Sequence, residues 1–289
     1  MTSRTPATID GPTPRWSTRS TSRTRGVVGL LALHSRIELR RAMRSIEYVV
    51  VAVTLPMLLY AMFGLPSADT SNVLADGSHV GTLMMVSLAC YGVVSLAIFT
   101  FGEYVAKERA RGWTRTMHAT PLPLWSDLTA KVVLALVGAA VIVASVSGLA
   151  VAAGNVRLDP SQWVRLVGVL LAGVLAFSTL GFAIAYATRP RAATAIANLI
   201  FLPLAFLSGF FVPLSELPEI LGDIAVWLPT YHFGILAFQQ VTGPDGVEAW
   251  VGAAPAGTGV HLAWVLGATL VFGTVALLAA RREGVTRRG

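Results

Sequence analysis

Six apolar blocks run through this chain, each close to the length of about 20 residues that a helix needs to cross a hydrocarbon core. They are Tyr48–Leu65, Val80–Gly102, Val132–Gly154, Leu166–Ala187, Ala192–Val212 and His261–Ala280. None shows the strict alternation of a barrel strand, and in lipid a helix satisfies every backbone amide within its own segment. The pattern predicts an all-α membrane protein with six transmembrane helices across residues 46–280. Composition agrees, since only 13% of the residues are charged, against roughly 25% in a typical soluble domain. The polar, Arg-rich residues 1–45 precede the first block, and no small-residue cleavage site follows it. It therefore reads as a retained span rather than a secretion signal.

Charge placement sets the expected orientation. A net charge of +7 could point to nucleic acid, but its distribution points to a membrane. Nine Arg lie in 1–45, four Lys or Arg in 103–127, two in 188–191 and four in 281–289. Segments 66–79 and 213–260 have none, and the connection between the third and fourth blocks has only Arg157 and Arg165. Short loops rich in Lys and Arg stay cytoplasmic. With an even number of spans, both termini and the loop after the second block are expected on the cytoplasmic side of a bacterial plasma (inner) membrane. Glu216, Glu219, Asp223, Asp245 and Glu248 are expected on the other side, and no nucleic-acid partner is expected.

The blocks carry no ionisable group at depth. Glu47, Lys131, Arg165 and His261 fall at block edges, where long side chains reach the interface. An ion-driven carrier keeps such a group inside, so energy for transport is expected from another subunit. The two lysines, Lys107 and Lys131, are neither preceded by Gly nor followed by Ser or Thr, which excludes a P-loop. There is no H-E-x-x-H, no G-x-S-x-G and no Cys/His metal spacing; His118, His232 and His261 stand singly, and Cys90 reads as a small apolar group. No catalytic residue, metal site or cofactor is expected on this chain.

Residues 1–25, rich in Thr, Ser, Arg and Pro, read as a disordered tail, and 281–289 as a second cytoplasmic tail. Residues 26–45 read as an amphipathic interfacial helix in which Arg36, Arg40 and Arg44 form a stripe beside Leu30, Leu33 and Ile37. Anionic lipid headgroups or a partner protein would both suit that stripe.

The longest internal basic loop is "EYVAKERARGWTRTMHATPLPLW", Glu103 to Trp125. It is expected to begin as a helix supported by a Glu103–Lys107 pair four residues apart, to end that helix at Gly112, and to turn at Pro121 and Pro123. Trp113, Met117 and a basic rim then face the cytoplasm. Composition by itself leaves open whether the loop docks a protein or only sets topology.

The stretch "KERARGWTRTMHATPLP" resembles the E-R-x-x-G-T-L-x-x-L-x-x-T-P signature after the second span of type-2 ABC exporter permeases, the family of daunorubicin-resistance and polysaccharide-export permeases. Glu108, Arg109, Gly112, Met117, Thr120 and Pro121 match or replace it conservatively, while Trp113 and Thr114 stand where the family has Thr and Leu. The resemblance implies that Lys107, Glu108, Arg109, Gly112, Trp113, Met117 and Pro121 belong to a coupling element docking on a separate ABC ATPase. ATP and Mg would bind there, with two ATPase copies and a second permease, identical or homologous, in the complex. It also implies that this chain is not itself an enzyme.

A second stretch, "SGFFVPLSELPEILGDIAVWLPTY", is similar to the family's S-G-x-x-x-P-x-x-x-L-P pattern. Leu217, Ile220, Leu221, Ile224 and Leu228 recur at helical spacing opposite Glu216, Glu219 and Asp223. Pro213, Pro218, Pro229 and Tyr231 would shape an extracellular re-entrant helical hairpin between spans 5 and 6; an ordinary interfacial helix is the other reading. By resemblance, the cargo path lies between the second and fifth spans, lined by Met84, Met85, Tyr91, Asn198, Phe201, Phe206 and Phe210. An uncharged lining suits an amphipathic or hydrophobic drug, antibiotic or lipid-like molecule. A polysaccharide or lipid-linked glycan is the alternative cargo, and an ion-gradient-driven secondary transporter the alternative class.

Overall fold

The computed structural model describes residues 53–68, 73, 74, 77–112 and 124–286, together with 29, 32, 33, 35–37, 39 and 40; of 124–126 and 283–286 it describes the backbone only. Among these residues the regular structure is helical, with turns and loops between the helices and an isolated bridge between Val73 and His79. The helices are α1 (Leu55–Gly64), α2 (Val80–Ala110), α3 (Leu124–Ala153), α4 (Pro160–Ala187), α5 (Ala193–Leu207), α6 (Glu219–Ala225), α7 (Pro229–Phe238), α8 (Pro244–Val251) and α9 (Thr258–Thr286). The described residues between 29 and 40 are also helical, with Arg36 and Arg40 exposed; Arg44 and the 1–25 tail lie outside the described residues.

Among the described residues four helices, α2, α3, α4 and α9, are long and apolar enough to cross a bilayer. The α6–α7 pair counts as a fifth span only if its 93° bend is read as a break within one. The fifth block thus yields a shorter helix than expected, and the described part of the first block is helical over Leu55–Gly64. Residues 48–52 of the first block lie outside the described residues, and α1 changes to π-helical winding over Tyr60–Gly64. The fifth block stops early for a backbone reason. At about 1.5 Å per residue the 15 residues of α5 rise roughly 22 Å, short of a core about 30 Å thick. The helix closes at Ser208, and Gly209 takes φ +72°, a left-handed conformation that turns Phe210, Phe211 and Val212 out of it. At the other end of the last block, α9 continues through Thr286, so most of the expected tail is helix.

The helices are unequal in position. Of the apolar window in α2, 89% is buried, against 6% in α9, which makes α2 the axis of the bundle and α9 an outer helix. A helix apolar on every side is one surrounded by protein or lipid, and α2 is enclosed by α1, α3, α4 and α7. Hydrophobic burial does not drive helices together in lipid, so close backbone approach at small residues does. One such approach is at Gly181 of α4, where a Cβ would lie 2.8 Å from Phe101 Cβ and 2.9 Å from the Ala97 carbonyl oxygen of α2. At this crossing α2 also adopts a π-helical turn, Phe99–Tyr104, next to Gly102.

Connections are fixed by local chemistry. At the start of α4, Pro160 occupies the first turn and Gln162 Oε1 accepts the Asp159 backbone N–H at 2.9 Å, closing a capping box. Pro229 opens α7, with Val226, Trp227 and Leu228 between it and the end of α6. Pro218 stands one position ahead of α6 rather than inside its first turn.

Candidate functional site

The loop expected to dock a partner is rooted at the end of the bundle where α2 and α4 finish and α3 and α5 begin. Helix α2 runs past its π-turn to Ala110, and Arg111 N–H and Gly112 N–H donate back to the carbonyls of Lys107 and Arg109. Gly112, at φ +74°, closes the helix in the left-handed conformation that a side chain disfavours. The expected Glu103–Lys107 pair is formed on the exposed side of this end.

The neighbouring residues turn inward. Lys131 of α3 is 2% exposed, and its ammonium lies 3.0 Å from a Glu108 carboxylate oxygen while also bonding Asp127 one turn back. One cation therefore joins the exit of α2 to the entry of α3, the two ends of the loop. Arg109 places its guanidinium 4.8 Å from the centroid of the Tyr186 ring near the end of α4, within cation–π range. Val105 and Ala106 pack with Ala185 of α4 and Ala193 of α5. Glu108 and Arg109, which the resemblance places in the coupling element, are both buried in this chain at the root of the loop. Lys107 is the member of the set that faces outward, and Trp113, Met117 and Pro121 lie outside the described residues.

Lys131, Asp127 and Tyr186 are absent from the sequence-based site. Asp127 and Lys131 stand four apart, a spacing visible in the sequence, but a lysine at a block edge reads as one reaching for the interface. Two converging carboxylates hold it inside instead.

The expected cargo-path residues divide into two groups. Tyr91 of α2 and Phe201 of α5 pack at 5.2 Å between ring centroids, and Phe99, Phe211 and Phe206 extend the same row at 4.8–5.5 Å steps. The row passes from the buried Phe201 to the exposed Phe206. Asn198 lies on the exposed side of α5 and donates to the Thr194 carbonyl. Met84, Met85 and Phe210 sit in the core. Phe99 and Phe211 join the row from outside the expected set. The α2–α5 seam is therefore lined by uncharged aromatic rings.

The hairpin is fastened at the opposite end. Ser87 of α2 and the indole of Trp250 in α8 both donate to the Gly209 carbonyl, at 2.8 and 3.3 Å, and Ser208 bonds Thr230 at the start of α7. Tyr231 and the rest of α7 after Pro229 are buried, while Pro218, Ile220, Ile224 and Trp227 around α6 are exposed. Pro213 and Pro229 are partly buried.

A bundle of apolar spans with a basic loop gripped by buried charges, an uncharged aromatic seam and a bent helical pair is the architecture of a transport subunit. Comparison with known proteins fixes the class: residues 30–239 match the model of the ABC-2 type transporter family, and the chain belongs to that family. It is 26% identical over 224 residues, 77% of this chain and 89% of the relative, to the protein named "Putative transport permease YvfS" of Bacillus subtilis (strain 168). The chain is thus a multi-pass membrane permease subunit of an ABC transporter, and its family implies partnership with an ABC ATPase.

Proposed function

We propose that this permease is the membrane half of an exporter that moves an amphipathic or hydrophobic molecule, such as a drug, antibiotic or lipid-like compound, out of the cell. Two ATPase subunits carry the nucleotide and Mg, and a second permease, identical or homologous, completes the path. The chain lies in the bacterial plasma membrane with both termini and the basic loop cytoplasmic. On this reading α1, α5 and the four long helices make the six spans, and the α6–α7 hairpin is re-entrant from outside.

The observation that carries the reading is the Glu108–Lys131–Asp127 link. A loop whose two ends share one buried cation moves with both helices when a partner pushes on it, and packed helices respond by discrete shifts. ATP-driven closure must favour one of those arrangements over the other, since a ligand indifferent to both moves nothing. The aromatic row on α2 and α5, free of charge, supports an apolar cargo.

Co-purification of an ABC ATPase with the full chain tests the partnership. Replacing Gly112 with Ala tests the loop. A side chain at φ +74° costs about 1–2 kcal/mol, and the loop is expected to leave its docking geometry. ATP-dependent export should fall roughly five- to thirty-fold while membrane insertion is kept. Wild-type export from this variant would remove the coupling role of the loop end.

A further inference from the structure

His232 in α7 and His261 at the start of α9 stand singly in the sequence, 29 residues apart, yet their Nδ1 atoms lie 2.7 Å apart. Each ring directs its other nitrogen at a backbone carbonyl: His232 Nε2 donates to Val226 at 3.0 Å, and His261 Nε2 to Ala256 at 3.1 Å. A carbonyl only accepts, so both Nε2 atoms carry hydrogen. That determines what lies between the two Nδ1 atoms. With no proton there, two lone pairs face each other at hydrogen-bond distance; with two, two N–H groups collide. One proton fits, as the Nδ1–H of one imidazolium donating to the Nδ1 lone pair of the other ring. A single metal ion does not fit, because two tetrahedral nitrogen ligands at about 2.05 Å stand roughly 3.3 Å apart.

Burial by itself disfavours a cation here, and the neighbouring aromatic rings offset part of that cost. The Trp264 ring stacks on His232 at 5.0 Å and 13°, and Tyr231 meets it edge-on at 5.2 Å. An aromatic face within about 6 Å stabilises a positive charge, most of all when the site is dry, and both rings are buried. The packed elements hold few other titratable groups. Helix α6 carries Glu219 and Asp223, both exposed, and α4 carries the exposed Arg165 and, at its far end, Tyr186. Helix α2 contributes Cys90 and Tyr91 between Val80 and Phe101. Helix α5 has no ionisable residue, and α9 has none besides His261 until Arg281.

We propose that His232 and His261 form a single proton-binding site that latches the α6–α7 hairpin to α9. The proton comes from water through the largely exposed segment 252–257, whose Ala256 carbonyl holds His261. Uptake makes one Nδ1–H bond; release returns that proton to water and leaves two opposed lone pairs. To relieve them, one ring must rotate or move its remaining proton from Nε2 to Nδ1, and either way it gives up its hydrogen bond to its carbonyl. The Val226 carbonyl lies at the bend between α6 and α7, so release loosens that bend. The latch is closed on the acid side and opens as pH rises. This goes beyond the export reading and requires neither cargo nor ATPase.

The test uses the full chain in lipid nanodiscs, with 15N-histidine NMR and hydrogen exchange of the 219–238 segment across pH, corrected for intrinsic rate. The expected result is one shared Nδ1 proton, both rings titrating at the same pH, and hairpin exchange that speeds up as that proton leaves. His261→Asn should abolish the shared-proton signal and the pH step in exchange. Trp264→Phe, which keeps a ring in the stack but weakens its hold on the cation, should move the step to lower pH. Two independent titrations, no titration at either ring, or a step that persists in His261→Asn or stays in place in Trp264→Phe would overturn the proposal.

Discussion

Replacing Lys131 with Met should cost about 3–5 kcal/mol, the penalty of removing one partner from a buried ion pair. Lys131 is nearly inaccessible, and both Glu108 and Asp127 close on its ammonium. In the variant two converging carboxylates lose the cation they share, at the point where α2 leaves the membrane and α3 enters it. The folded fraction that survives detergent extraction and mild heating is expected to drop sharply. Combining Lys131→Met with Glu108→Gln removes the uncompensated charge at Glu108 and should recover much of that stability, because neutral replacement of a buried pair is often tolerated. Export should recover less than stability does, since the link between the loop ends is still missing. A single variant as stable as the wild type would show that the buried triad holds nothing in place.

The second large effect is expected at the α2–α4 crossing. Gly181→Leu introduces a side chain whose first carbon already lies 2.8 Å from Phe101 Cβ and 2.9 Å from the Ala97 carbonyl oxygen. Neither is the movable tip of a flexible side chain, so the helices must separate. Overpacking of this kind costs about 1–3 kcal/mol, occasionally more. Separation would also pull Tyr186 away from Arg109 and loosen the loop root. At Gly168, on the same helix, a Cβ would meet no atom within 4 Å, so Gly168→Leu is the matched control and should be nearly silent. Thermal inactivation of the two variants side by side checks this; equal behaviour would mean that the crossing is not close-packed.

Much of the architecture is legible in the sequence because the relevant signals are local. Apolar length marks the four long spans, Gly112 ends α2, Pro229 separates two helices of the hairpin, and Glu103 meets Lys107 one turn away. The shortening of the fifth block is a backbone event at Gly209 that hydropathy does not register. Glu108 and Arg109 carry the family-like motif, but a motif names residues without saying which way they point, and here both point inward. The histidine pair could not be read at all, since two single residues 29 apart acquire a relation only when α7 packs on α9.

By itself the sequence determined that the chain crosses a membrane as helices, that its basic segments cluster in alternate connections, and that no Asp, Glu, Lys or Arg falls inside an apolar block. Each of these follows from transfer between water and hydrocarbon, a property of individual residues and short runs. Only the tertiary structure decided which helix is central, which lysine is enclosed and which imidazoles share a site. An apolar side chain has the same affinity for a lipid tail as for a neighbouring helix, so hydropathy cannot distinguish the buried α2 from the exposed α9. What separates them is shape: glycine-lined close approaches and converging polar groups that exist only once the helices are assembled.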